Sequence, residues 1–287
     1  MRFIVPAIML LLVTCAAPFC LAGDESAGGS DISYQSPYSV ILPWSAQELI
    51  PDLLEGKRGN PRFEAKIPQS EWYGHIDPRI GPWGPLPRSY PPPALAQLKS
   101  DEWKRARIIA TALRFLGYHY RHHYLPDWDP PPGWYTPEPG GARHDGKGVD
   151  CSNFTSFVYN QGLGIGISSD IHKQAATEFA TIHGADQSFP VLVIPHQDSA
   201  TNWAEVLKPG DLLFIRPRNG DFISHVVIWI GAWGAPAGGP PLILDSHGAE
   251  VRDSTGTLIP EGVYVRPFRA NSWYADDADH AIRIIGQ

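Results

Sequence analysis

GKGVDCSNFTSFVYNQGLG, Gly146 to Gly164, contains Cys151, the only cysteine downstream of residue 20. It stands where a helix is expected to begin. Asp150 is a good N-cap residue, Phe154, Phe157 and Val158 recur on one side, and Gly162 follows as a stop. The expected helix runs from Cys151 to about Gln161. A helix N-terminus favours the thiolate form of a cysteine. Asp150 works the other way, because an adjacent negative charge opposes thiolate formation. A nucleophilic Cys151 therefore needs a cationic partner, and histidine is the natural one.

The rest of the chain sets the context for this thiol. Residues 1–22, MRFIVPAIMLLLVTCAAPFCLA, place Arg2 before an apolar run and end in Cys20-Leu21-Ala22. That pattern predicts a signal peptide cleaved after Ala22 and export to the periplasm or beyond the cell. The run is short for a membrane span and is interrupted by Pro6 and Pro18, so no span is expected in the mature chain. Thr14 before Cys15 fits lipidation poorly. Removing Arg2 with the signal changes the formal net charge from −7 to −8. No broad basic surface advertises nucleic acid. Cys15 and Cys20 also leave with the signal, so Cys151 has no internal disulfide partner. In an oxidising compartment a lone thiol is either a reactive group or a buried apolar filler.

The chain has 287 residues, 43% of them apolar, which suits one domain of ordinary size with extensions. Residues 23–98 are rich in proline and carry Trp44, Trp72 and Trp83. They read as an irregular arm, or a small accessory region, packed on the main domain. Ser45 and Glu48 match a capping box that opens a helix to about Gly56. Residues 99–287 form the main domain. DEWKRARIIATALRFLG, 101–117, is the clearest helix, acidic at its start and closed by Gly117. After residue 190 the texture changes to strands: VLVIP, DLLFIR, ISHVVIWIG, PLILDSH, GVYVRPF and AIRII. Asn219-Gly220 is a hairpin signal between two of them. Helices followed by an antiparallel sheet predict an α+β fold.

His225 lies in ISHVVIWIG, a strand apolar on both faces and hence central. A histidine there is either a core residue bonded to backbone or a working base. His247 ends the next strand, where it is either an exposed turn residue or part of the same site. A base needs a third group to orient it, and His247 or Asp245 fits that need. Cysteine at a helix start, then histidine on a strand, then a polar residue on the adjacent strand is the papain-like order.

Three motifs make the resemblance specific. Asp150-Cys151-Ser152 with Phe154, the run Lys208-Pro209-Gly210-Asp211-Leu212-Leu213-Phe214, and Ser224-His225-Val226-Val227-Ile228-Trp229-Ile230-Gly231 resemble the NlpC/p60 cell-wall cysteine peptidases over about residues 100–287. The resemblance implies a compact papain-like fold with N-terminal helices packed on a central antiparallel sheet. It also implies hydrolysis of peptidoglycan stem or cross-link peptides, typically next to D-glutamate, as a γ-D-glutamyl-diamino acid endopeptidase. Carried over by position, Cys151 is the nucleophile, His225 the general base and His247 the orienting residue. Asp150 and Ser152 take the places that bind a substrate amino terminus, and Tyr120 that of a tyrosine after the first helix. The protein is expected to act as a monomer on peptidoglycan peptides, with no metal or other cofactor. Competing readings are an N-acetylmuramoyl-L-alanine amidase, acyl transfer on the same fold, and a non-catalytic wall-binding protein.

Two departures stand out. Asn153 replaces the glycine that usually follows the serine. A long segment, YRHHYLPDWDPPPGWYTPEPGGARHDGKG, replaces a short Tyr-x-Trp-Gly-Gly run and is expected to border the cleft. His119, His122, His123 and His144 lie in or beside it, but no second cluster with ligand spacing accompanies them. Trp83, Trp128 and Trp134 sit in Pro/Gly-rich loops and are either core residues or glycan contacts. The sequon Asn153-Phe154-Thr155 falls inside the expected helix and is read as chance.

Overall fold

Proline splits the first expected helix in two. The capping box forms, with Ser45 accepting from the Glu48 amide and the Glu48 carboxylate accepting from Ser45 N at 2.9 Å. Helix α1, Ala46–Leu49, then ends at Ile50, whose φ of −134° is not helical. Ile50 precedes Pro51, and a residue before proline is driven out of the helical region. Pro51 opens α2, Pro51–Leu54. Short helices α3, Pro61–Glu64, and α4, Gln69–Trp72, follow. The computed structural model of the chain describes residues 34–56, 58, 61–72, 83–131, 134, 146–185, 187–234, 239–253 and 255–286. The expected signal peptide, with Cys15 and Cys20, and His144 lie outside them.

The arm is part of the main core. Val40, Leu42, Leu49, Leu53 and Tyr90 are buried in one cluster with Ile108, Ile109 and Phe157. Each such side chain contributes roughly 1.5–3 kcal/mol when fully buried. Arg107 adds polar anchors, donating to the Leu49 carbonyl and to Asp52 Oδ2, the latter at 2.7 Å.

Helix α5, Asp101–Leu113, is capped by Ser100 and ends before Gly117. The chain turns there because Gly117 N donates to Val263 O at 3.0 Å, and Gly117 has φ +86°. Helix α6, Cys151–Leu163, begins at the expected residue, with Asp150 as N-cap. Its stop is Gly164, φ +68°, rather than Gly162. Gly162 serves the crossing of α6 over α5 instead. A Cβ there would sit 3.1 Å from Ile108 Cδ1 and from Thr111 Oγ1.

Strands β1, Ile165–Gly166, β2, Phe179–Ile182, and β3, Gln187–Pro190, form a small sheet around α7, Ile171–Ala175. The central sheet is antiparallel. Its strands are β4, Leu192–Ile194, β5, Leu212–Ile215, β6, His225–Gly231, β7, Leu242–His247, β10, Gly262–Pro267, and β11, Ala278–Arg283, in the spatial order β10-β7-β6-β5-β11-β4. Strands β8, Val251–Arg252, and β9, Leu258–Ile259, make a separate ribbon. The sheet is covered on both faces. Val226, Ile228, Leu244 and Val263 pack with the α5 and α6 residues. The alternate residues Val227, Trp229, Ile243 and Leu213 pack with Trp203 of α8, Ala200–Val206, and Tyr274 of α9, Trp273–Asp276. Burial on both faces is why β6 reads as an unbroken apolar run. The architecture is α+β, as expected.

Candidate active site

Backbone bonds fix where α6 starts. Val149 N donates to His119 O at 3.1 Å, and Arg121 N donates to Val149 O at 3.3 Å. Ser246 of β7 donates to Val149 O at 2.6 Å. The residues before Cys151 are thus held between the 119–121 segment and the end of β7. Helix α6 also packs on β6 and β7. Cys151 opens α6 and His225 opens β6, the strand on which that helix packs.

Within α6, Asp150 is buried, and its oxygens are used locally. Oδ1 accepts from Asn153 N at 2.9 Å and from Ser152 Oγ at 3.3 Å, and Oδ2 accepts from Asn153 Nδ2 at 2.6 Å. Ser152 Oγ also reaches Ser169 O at 2.8 Å. Burial pushes the Asp150 carboxyl up to about 6, against the Asn153 bonds. The thiol of Cys151 is likewise pushed well above its usual value, by burial first and then by the Asp150 charge. At rest Cys151 is a protonated thiol.

His225 is held by a carboxylate. Its Nε2 lies 2.7 Å from Asp245 Oδ2, in a buried pair. Asp245 has two further partners. Arg266 Nε donates to Oδ1 at 2.6 Å, and Tyr274 Oη donates to Oδ2 at 2.8 Å. Burial raises the Asp245 pKa, but the Arg266 charge and the His225 bond outweigh it and hold the carboxyl well below the usual carboxylate range. With Nε2 bound to Asp245, Nδ1 is the ring nitrogen that takes no part in that bond.

His247 meets the His225 ring by an aromatic contact, whereas Asp245 makes the hydrogen bond to it. The Nδ1 of His247 lies 2.6 Å from the Ala249 carbonyl, and its ring meets His225 edge-on with centroids 5.0 Å apart. The period of a strand explains the arrangement. Asp245 and His247 are two residues apart on one face of β7, so both face His225. Asp245 supplies the hydrogen bond to the ring and His247 supplies a wall, together with Trp273 at 5.4 Å from His225. Burial lowers the His247 pKa. Arg266, Tyr274 and Trp273 were not anticipated from the sequence. One signal was available: an arginine in the otherwise apolar run GVYVRPF needs a buried partner.

Tyr120 lies between two residues bonded to Val149, two positions before Cys151. Burial raises its phenol pKa. Its ring packs over Gly248, where a Cβ would lie 3.2 Å from Tyr120 Cε1. Trp128 and Trp134 are core residues, 1% and 2% exposed, so they offer no glycan contact. Trp83 is half-buried. Among the described residues no group of three or more His, Cys, Asp or Glu is placed to hold a metal ion.

Residues 138–255 match the sequence model of the NlpC/P60 family. Over those residues the chain is similar to the NlpC/P60 family. The match contains Cys151, His225, Asp245 and His247, while Tyr120, Arg266 and Tyr274 lie outside it. No curated protein matches the chain in sequence. Solved structures similar to it include an NlpC/P60 family protein from Bacillus cereus ATCC 10987, at 20% identity and a TM-score of 0.36, covering 68% of this chain. The chain spans 42% of that protein's length. Another is the NlpC/p60 domain of the peptidoglycan hydrolase SagA, at 24% identity and a TM-score of 0.31, covering 63% of this chain and 98% of that domain. Among the described residues no helix is long and apolar enough to cross a membrane.

Proposed function

We propose that this protein is an exported cysteine peptidase that hydrolyses peptidoglycan stem or cross-link peptides, as a γ-D-glutamyl-diamino acid endopeptidase. One observation carries the reading. Cys151 opens a helix packed on the strand that His225 opens, and the Nε2 of His225 is bound to Asp245 at 2.7 Å.

The chemistry follows from that arrangement. His225 takes the thiol proton on Nδ1 as the sulfur attacks the scissile carbonyl. Asp245 fixes the tautomer and stabilises the imidazolium that forms. A backbone N–H at the start of α6 stabilises the oxyanion. His225 then returns the proton to the leaving amine, and water releases the acyl group. The high resting pKa of the thiol makes this coupled proton transfer necessary, since Cys151 holds little thiolate of its own at neutral pH.

The test is a digest of purified muropeptides with the mature protein, read by mass spectrometry beside Cys151→Ala and His225→Ala. The expected result is a cut after D-glutamate that both substitutions abolish while circular dichroism is unchanged. Release of intact peptides from glycan would replace the peptidase with an amidase. Full activity in Cys151→Ala would remove the mechanism.

A further inference from the structure

The segment Tyr120 to Leu125 alternates. Tyr120, His122 and Tyr124 are half-buried, whereas Arg121, His123 and Leu125 are buried. The alternation sets one group of side chains against the protein and the other outward, on a chain bent at His122, where His123 N donates to Arg121 O at 2.9 Å. The outward face is entirely aromatic. A second, distant segment adds to it: Tyr124 N donates to Trp83 O at 3.2 Å, which sets the arm's Trp83 beside this row. Ring centroids are 5.7 Å apart for Tyr120–His122, 5.0 Å for His122–Trp83 and 5.6 Å for Trp83–Tyr124. The four rings form one continuous ridge. It is supported from below by a buried aromatic layer. Trp128 contacts Trp134 at 5.0 Å and His123 at 4.7 Å, and Gly84, next to Trp83, lies directly on the Trp128 ring where no Cβ would fit.

The ridge has a direction. Its Tyr120 end lies where Val149 N donates to His119 O and Arg121 N to Val149 O, two residues before Cys151, while its Tyr124 end is tied to Trp83. It therefore leads from the start of α6 toward the arm. Asp150 itself has little to offer a substrate ammonium at this point. It is 4% exposed, and both of its oxygens are bonded to Asn153. A substrate whose amino end is free would find its charge partner occupied. A substrate whose amino end is joined to a flat-faced ring would find a matching surface. Half-exposed aromatic rings offer apolar area with polar edges, which suits the C–H faces and hydroxyls of a pyranose.

Resting on the peptidase reading above, we propose that Trp83, His122, Tyr124 and Tyr120 form a saccharide subsite. It takes the amino sugar to which the stem peptide is attached, so the enzyme prefers stems still linked to glycan. In such a stem the sugar lies two residues to the amino side of a bond cut after D-glutamate. That distance is on the order of 7 Å or more along the chain. The ridge, with its successive ring contacts of 5.0–5.7 Å, reaches at least that far.

The experiment compares one stem peptide in two forms, disaccharide-linked and sugar-free, with wild type, Trp83→Ala and the milder Trp83→Leu. Wild type should show the higher kcat/KM on the disaccharide-linked form. Each Trp83 variant should raise KM on that form by about tenfold, equivalent to about 1.4 kcal/mol, and leave the sugar-free form within about twofold. Equal losses on both forms, or none on either, would overturn the subsite. If wild type cuts neither form, the peptidase reading fails, and binding of the two forms measured by tryptophan fluorescence decides the subsite alone. Trp83-dependent binding of the disaccharide-linked form would uphold it; equal or absent binding would overturn it.

Discussion

His225 Nε2 and Asp245 Oδ2 lie 2.7 Å apart, both side chains buried, while His247 only touches the same ring edge-on. This ranks the two residues that compete for the orienting role. Asp245→Asn keeps the volume but presents an amide whose N–H₂ faces the ring as readily as its oxygen does. The wrong tautomer then holds its proton on Nδ1, where the thiol needs an acceptor. Loss of kcat on the order of 10²-fold or more is expected. His247→Ala removes a wall and should cost on the order of tenfold or less. Steady-state kinetics of both variants checks the ranking, and the reverse order would make His247 the orienting residue.

Cys151 can be probed without substrate. Burial and the Asp150 charge both oppose its thiolate. Asp150→Asn removes the charge and retains an N-cap residue. The thiolate fraction at a given pH should therefore rise, and alkylation by iodoacetamide should quicken by about threefold to tenfold. The sign depends on pH in a definite way. Asp150 titrates at about 6, so below that pH the wild-type carboxyl is already neutral and the two rates converge. A ratio that stays constant from pH 5 to 8.5 would show that Asp150 acts through packing rather than charge.

Local patterns revealed much of this site, and tertiary contacts decided the rest. The start of α6 was legible because an N-cap, an apolar face and a terminal glycine recur at helix spacing. The central strands were legible because their apolar runs are short and β-branched. Gly162 was misread because its lack of a side chain serves the α5 crossing, a contact between residues more than 50 apart in sequence. Asp245 and His247 share one strand face, so alternation alone leaves both open. The hydrogen bond depends on side-chain reach at a register set by β6. Trp128 and Trp134 sit in a Pro/Gly-rich segment that reads as surface loop, yet they are buried because the arm packs over them through Trp72 and Gly84.

Arg266 and Tyr274 hold the far side of Asp245, and their removal should have different consequences. Arg266→Met leaves a buried carboxylate without its cation, which typically costs about 3–5 kcal/mol. Asp245 has a lowered pKa in the fold, so the stability it contributes is present above the ordinary carboxylate pKa of about 4 and fades only as pH falls below it. The wild-type advantage over Arg266→Met, read by urea unfolding, should therefore persist from pH 8 to pH 5. Tyr274→Phe keeps the ring and removes one donor from Oδ2. The carboxylate then holds the His225 imidazolium more tightly, and the acidic limb of kcat/KM should move to higher pH. A limb that stays in place would make Tyr274 a packing residue only.

Glu64 joins the arm to α6 and should make that junction sensitive to pH. It is 0% exposed, and its Oε1 accepts from Gln161 Nε2 at 3.0 Å. Burial, reinforced by the Asp127 charge and opposed by Arg114, pushes its carboxyl up to about 8. In the unfolded chain the same group titrates at about 4.3. The folded protein therefore binds the extra proton between those values, and the stability Glu64 contributes declines as pH rises from about 4 to about 8. Glu64→Gln fixes the neutral form with the same shape. Its Tm should match wild type at pH 4 or below and exceed it at pH 8.5 by several degrees, taking about 2–4 °C per kcal/mol for a chain of this size. Amide exchange in α1 and α2 should slow in the variant at the higher pH, because those helices rest on the same core. Parallel Tm curves for the two proteins across this range would mean that Glu64 stays ionised in the fold and finds its compensation in Arg114.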